Sequence, residues 1–268
     1  MGFAYINPNE ASPHGQVSLT DPDSRAMASQ GKGTGIVGYN VQTAVQTKHH
    51  LIVTHEVTNV GSDRAQLVKM AEAAREALGT TDLTAIADRG YYSSEQIKGC
   101  EDAGIAPVVP KPIASNSAAD GRYEKWDFTY LPKRDAYRCP AGEYAIRRFT
   151  SQEHGLTYYK YWSSACPRCA LRSKCTTGDY RRLTRLEHEA VLERMQARLK
   201  RDPTLMIIRR RTVEHTFGTI KAWMGATHFL CRRLPRVSAE MSLHVLAYNM
   251  KRVMKIMGTG AMIEALRA

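Results

Sequence analysis

Apolar and polar residues alternate from Tyr39 onward. Tyr39, Val41, Thr43 and Val45 share one side of an extended chain, and Ile52 and Val53 open a second β-rich run. Thr47-Lys48-His49-His50 lies between the runs, so the pattern predicts a hairpin. The period then lengthens. Ser62 stands as an N-cap, Leu67, Met70, Ala74 and Leu78 recur at helical spacing, and Gly79 supplies a stop, which predicts a helix over 63–78. A short apolar run, Leu83 to Ala87, ends in Asp88 and reads as a buried strand. A helix over 94–103 and a strand over 105–109, stopped by Pro110, complete the series. The order strand, strand, helix, strand, helix, strand predicts an α/β protein with a mixed sheet and flanking helices.

This rhythm is absent on either side. Residues 1–35 contain "NPNEASPHG", "TDPDS" and "GKGTG" and predict an irregular lead-in to a core over 36–110. The glycines make no phosphate loop, because no strand precedes them and the Gly-Lys-Ser/Thr ending is missing. Residues 111–184 are polar, dotted with aromatics and rich in cysteine, and read as an inserted module. Helical spacing returns over 185–268. Thr184 and Glu187 are spaced as a capping box ahead of Leu192, Met195 and Leu199. Asp202-Pro203 restarts a helix that runs to about Met224. A last helix over 238–257 has Met241, Val245, Tyr248 and Ile256 at apolar positions and stops at Gly258.

Charge adds a partner to this picture. The net charge is +12, and Arg181 to Arg236 alone holds 14 Lys or Arg against 5 Asp or Glu. That balance suits a polyanion such as nucleic acid, and it also suits a merely basic, soluble surface. No apolar run approaches the roughly 20 residues of a membrane span. The N-terminus shows no secretory signal, and Ile6 stands where a myristoylation motif needs Ser or Thr, so a cytoplasmic protein is expected.

Candidate chemistry lies at three places. Asp88 ends a predicted strand, a position where α/β proteins tend to place functional groups. The helix "MIIRRRTVEHTFGTIKAWMG" puts Arg210, Glu214, Phe217 and Lys221 on one face. Spacing alone also allows a structural ion-pair ladder there. His215, about 100° away from Glu214 on that helix, reads as structural. Cys139, Cys166, Cys169 and Cys175 include one Cys-x2-Cys pair, which suits tetrahedral Zn²⁺. Free structural thiols are the alternative, and Cys100 and Cys231 read as packing residues.

"IADRGYYS" and "RRRTVEHTFGTIK", in that order and on those element types, resemble two motifs of the DDE-type insertion-sequence transposases. "TDPDSRAM", "GYNVQTAV", "HEVTNVGSD" and "EMSLHVLAYN" extend the resemblance over nearly the whole chain. The family's Arg-x3-Glu-x6-Lys spacing is met by Arg210, Glu214 and Lys221, whereas Ile207 replaces the tyrosine that often precedes it. The resemblance implies an RNase H-like mixed sheet interrupted by the Cys-rich insertion, and Mg²⁺ or Mn²⁺ held by Asp88 and Glu214. Two such ions about 3.5–4 Å apart would clamp the oxygens of an in-line displacement. Arg210 and Lys221, with Arg209 and Arg211, would approach DNA phosphates. Similar cysteine segments in that branch imply structural Zn²⁺. Transposon ends and target DNA would be the partners, with no membrane and a homo-oligomer at full length.

Family members use three carboxylates, the first in an Asp-Gly-Ser/Thr strand that this sequence does not contain. Asp21 and Asp23 match a different family segment. The expectation is therefore a C-terminal portion that is not a competent nuclease alone, because two carboxylates balance less of the metal charge than three. A non-catalytic DNA-binding remnant or regulator of transposition is the alternative. A nuclease on the same core would need a carboxylate trio that the sequence does not supply.

Overall fold

The computed structural model describes residues 18–27, 36–112 and 120–267. "NPNEASPHG" and "GKGTG" therefore lie outside the described residues. The chain forms two compact units, Met1–Pro110 with Met195–Ala268, and Lys111–Arg194. No helix among the described residues is long and apolar enough to cross a membrane.

In the first unit, β1 (Arg25–Ala26) pairs with β2 (Val37–Gly38), a short ladder that ties the lead-in expected over 1–35 to the start of the core expected over 36–110. The hairpin joins β3 (Asn40–Val45) to β4 (Ile52–Thr58), with His50 in the left-handed region at φ 56°. Ser62 Oγ accepts from Arg64 N–H at 3.3 Å and starts a 3₁₀ turn that leads into α1 (Leu67–Leu78). Gly79, at φ 59°, closes α1 with an N–H bond back to the last turn. The strand before Asp88, β5 (Thr84–Ile86), runs parallel to β6 (Ala106–Val108) across α2 (Ser94–Asp102).

The architecture is α/β, with antiparallel and parallel pairing, flanking helices and a helical C-terminal part. Among the described residues β3 pairs with β4 alone and β5 with β6 alone, so the four strands do not close into one sheet. A strand pair joins a sheet only through a neighbour at its edge. Here all of β3 and all of β5 instead line a common cleft.

The second unit is an antiparallel meander of β7 (Thr129–Leu131), β8 (Ala136–Arg138), β9 (Tyr144–Glu153), β10 (Leu156–Trp162) and β11 (Leu183–Leu186). Phe128, Tyr137, Ala145, Tyr161 and Leu183 form its core. The Tyr130 and Tyr161 hydroxyls both donate to Asp135, at 2.9 and 2.6 Å, which satisfies their buried polar ends. The expected capping box at Thr184 and Glu187 does not form. Thr184 pairs with Lys160 inside β11, and Glu189 instead accepts from Leu186 N–H at 3.0 Å as α3 (Glu189–Arg201) begins.

After Asp202, whose carboxylate accepts from Thr204 N–H at 3.0 Å, a continuous helix runs to Trp223. It is not α throughout. α4 (Thr204–Arg209) widens into a π-turn over Arg210–Glu214, tightens as α5 (His215–Gly218), and widens again over Thr219–Trp223. The last long helix, α6 (Leu234–Met257), starts four residues before the predicted 238–257 and stops at Gly258; α7 (Thr259–Arg267) follows. Met241, Val245 and Tyr248 of α6 pack with Ile220, Ile52 and Val57. Ile256, expected on the same face, is exposed, and so is Cys231. Ile256 lies outside the core because β4 covers only the first part of α6, and Cys231 precedes that helix. Asn249 completes the contact by taking the Ile52 N–H and C=O, at 3.0 and 2.8 Å, as a neighbouring strand would.

Candidate active site

Asp88 follows β5 by two residues and caps the 3₁₀ turn Arg89–Tyr91, its Oδ1 accepting from Gly90 N–H at 2.8 Å. This bond fixes one carboxylate oxygen and leaves Oδ2 facing the cleft. Glu214 ends the first π-turn and lines the same cleft, of about 420 Å³. Arg209 joins the two. Its Nη2 lies 2.6 Å from Asp88 Oδ2 and its Nη1 lies 3.6 Å from Glu214 Oε1. The Arg209 side chain is 21% exposed, against 40% for Asp88 and 60% for Glu214. Solvent therefore screens the bridge, and it contributes at most about 1 kcal/mol.

A further carboxylate stands close by. Asp63 Oδ1 accepts from the side-chain amides of Asn40 and Gln42, both at 2.7 Å. A Cβ built on Gly90 would lie 3.0 Å from Asp88 Oδ1 and 3.4 Å from Asp63 Oδ2, so glycine is what lets the two acidic groups flank this turn. The Tyr91 hydroxyl donates to Gln42, and burial, then the charges of Asp63 and Asp88, hold the phenol protonated far above its usual range. Asp63, Asn40, Gln42 and Tyr91 did not stand out in the sequence. Asp63 looks there like an ordinary first-turn acid after Ser62, and the two amides occupy the polar side of an alternating strand. Gly90→Ala should lower the unfolding free energy by about 1 kcal/mol, since an exact fit gains one methyl group at the cost of shifting a carboxylate. Thermal denaturation of this variant beside wild type checks the figure.

The other predicted residues sit as follows. Arg210 and Arg211 are exposed, and the Lys221 ammonium lies 5.9 Å from the centre of the Phe217 ring. His215 meets the edge of the His50 ring at 5.6 Å. Asp21 accepts from the Tyr39 hydroxyl at 2.8 Å and from Arg233 N–H at 3.2 Å, and Asp23 accepts from Leu234 N–H at 2.9 Å. Both aspartates thus serve the start of α6 and do not line the cleft.

In the second unit Cys139, Cys166, Cys169 and Cys175 line one small hollow. Cys139 begins the β8–β9 turn, and Cys166 opens a 3₁₀ turn that Cys169 ends. Burial pushes the Cys175 thiol up to about 11; Arg181 opposes the rise and the other three cysteines add to it. All six cysteines are free thiols. Among the described residues no group of three or more His, Cys, Asp or Glu is set as a ready metal-ligand cluster.

Residues 13–250 match the family described as the transposase DDE domain. The chain belongs to that family. No curated protein and no solved structure gives a significant match.

Proposed function

We propose that this chain acts in DNA transposition, with Asp88 and Glu214 as two carboxylate ligands of a divalent metal ion, Mg²⁺ or Mn²⁺. The observation that carries the reading is their convergence on one cationic group, Arg209, from positions 88 and 214 of the sequence. Carboxylate oxygens are the donors that such hard cations take, and their sharing one cleft supports the reading. When bound, the metal would supply Lewis-acid activation for phosphodiester cleavage and strand transfer. Gly90 N–H orients Asp88, Arg209 neutralises both carboxylates in the metal's absence, and exposed Arg210, Arg211 and Lys221 offer charge to DNA phosphates. We place structural Zn²⁺ at the four cysteines, on the strength of their common hollow. Metal analysis of protein purified without chelators should find one zinc per chain, lost in Cys166→Ser.

A second reading, a DNA-binding regulator of transposition without catalysis, is favoured by the same Arg209 bridge, because it already satisfies both acids. Calorimetric titration with Mn²⁺ separates the two. For a metal site, Asp88→Asn and Glu214→Gln each abolish binding, and Arg209→Gln tightens it about fivefold, the worth of a screened ion pair of ~1 kcal/mol. Absence of binding by wild type and by Arg209→Gln alike would establish the regulator. Cleavage of DNA carrying the element's ends, lost in Asp88→Asn, completes the test.

A further inference from the structure

The sheet of the second unit has one face that its core does not use. Along β9, Ala145 points inward with Tyr161 and Leu183, so Tyr144 and Ile146 point the other way. The pairing shifts register opposite Tyr161, where Arg147 is matched and Arg148 is extra, and Phe149 then pairs with Lys160. Such a bulge bends the strand and re-aims a side chain. It returns Phe149 to the side of Ile146, because their partners Lys160 and Trp162 lie two apart on β10. Tyr144, Ile146 and Phe149 are 42, 43 and 55% exposed, a row of large apolar groups that burial does not explain.

Cations interleave with this row. Arg138 pairs across from Tyr144, Arg134 lies 5.1 Å from the Tyr144 ring centre, and Lys160 lies 6.0 Å from that of Phe149. Arg182 stands 5.9 Å from the Trp162 ring. Lys160 also meets Glu153 at 3.1 Å, whereas Arg134 and Arg138 have no ion pair among the described residues. Lys111 to Arg194 holds 16 Lys or Arg against 10 Asp or Glu, a net +6. A surface of exposed rings set among unpaired cations matches a partner with flat apolar faces and a negative backbone. Single-stranded nucleic acid has both, since its unstacked bases lie on aromatic side chains while phosphates meet Arg and Lys.

We infer that the β8–β10 face binds single-stranded DNA, taking bases on Tyr144 and Phe149 and phosphates on Arg134 and Arg138. The choice of DNA rests on the proposed function; the surface does not. The test is fluorescence anisotropy of the full chain with labelled single-stranded and duplex DNA, in buffer without added Mg²⁺ or Mn²⁺ and without chelator, over a range of salt. Without those ions the outcome is independent of the carboxylate site. Tyr144→Ala/Phe149→Ala should weaken single-strand binding about tenfold or more and leave the salt slope unchanged. Phe149→Trp should retain affinity. Arg134→Gln/Arg138→Gln should reduce the slope of log K against log salt by about 1.4, two phosphates' worth. Wild-type affinity in both double variants, with thermal midpoints unchanged, would overturn the proposal. So would equal loss of duplex and single-strand binding in the aromatic variant, or binding of phosphatidylserine vesicles through this face with none to DNA.

Discussion

Tyr248→Ala is expected to lower the unfolding free energy by about 4 kcal/mol, among the larger costs of a single core truncation. Its ring is fully buried in the cluster that joins α6 to β4 and to Ile220. Its hydroxyl lies 3.1 Å from Thr216 Oγ1 and donates to the His50 carbonyl at 2.8 Å. Thr216 belongs to the same continuous helix as Glu214, so this one side chain ties the acid-bearing helix to the β3–β4 turn. Tyr248→Phe keeps the ring and should lose only about 1 kcal/mol, the net worth of a hydrogen bond. Chemical denaturation of both variants separates packing from bonding. An equal loss in the two would contradict the assignment of most of the effect to the ring.

Lys125→Met should destabilise the Lys111–Arg194 unit by about 3 kcal/mol, the lower end for breaking a buried pair. Lys125 is ion-paired with Glu189, and their side chains are 31% and 12% exposed. Burial pulls the Lys125 ammonium below the usual lysine range even beside its partner, so mutual attraction is the smaller part of the pair's worth. The larger part is that neither charge stays alone. Although burial acts to raise it, the Glu189 pKa is held below the ordinary 4.5 by Lys125 and by the Leu186 N–H. A depressed carboxylate stabilises the fold above its unfolded pKa and loses that contribution as pH falls through the folded value. In wild type this loss lies below about pH 4.5. Without Lys125, burial raises the Glu189 pKa, the sign inverts, and the penalty should shrink on mild acidification. Unfolding curves at neutral pH and near pH 5 check both claims.

Local periodicity carried much of the first unit. The hairpin, the α1 stop at Gly79 and the strand before Asp88 each follow from residues within a few positions of one another. Non-local pairing defeated it at Thr184, where Lys160 on β10 claims the backbone that a helix start would need. The same limit hid the separation of β3–β4 from β5–β6, since no stretch of sequence states which edges meet. Asp88 and Glu214 were visible as candidates, and the structure lines one cleft with both. That Arg209, among three consecutive arginines, bridges them was not visible, because adjacent arginines differ only in the direction the helix gives them.

That direction depends on the two π-turns. An α-helix advances each residue by about 100°, and a turn closed one residue later accommodates an extra residue without breaking the helix. Between Arg210 and Trp223 the chain does this twice, so side chains beyond Glu214 are phased differently from what their numbering in a regular helix implies. Removing a single residue from either turn would restore a regular helix and keep the side chains after it in phase. Removing one from α5, between the turns, would swing Ile220 and Lys221 by about a quarter of a circle, because no bulge absorbs the loss. Here the place of a deletion, more than its length, decides the harm.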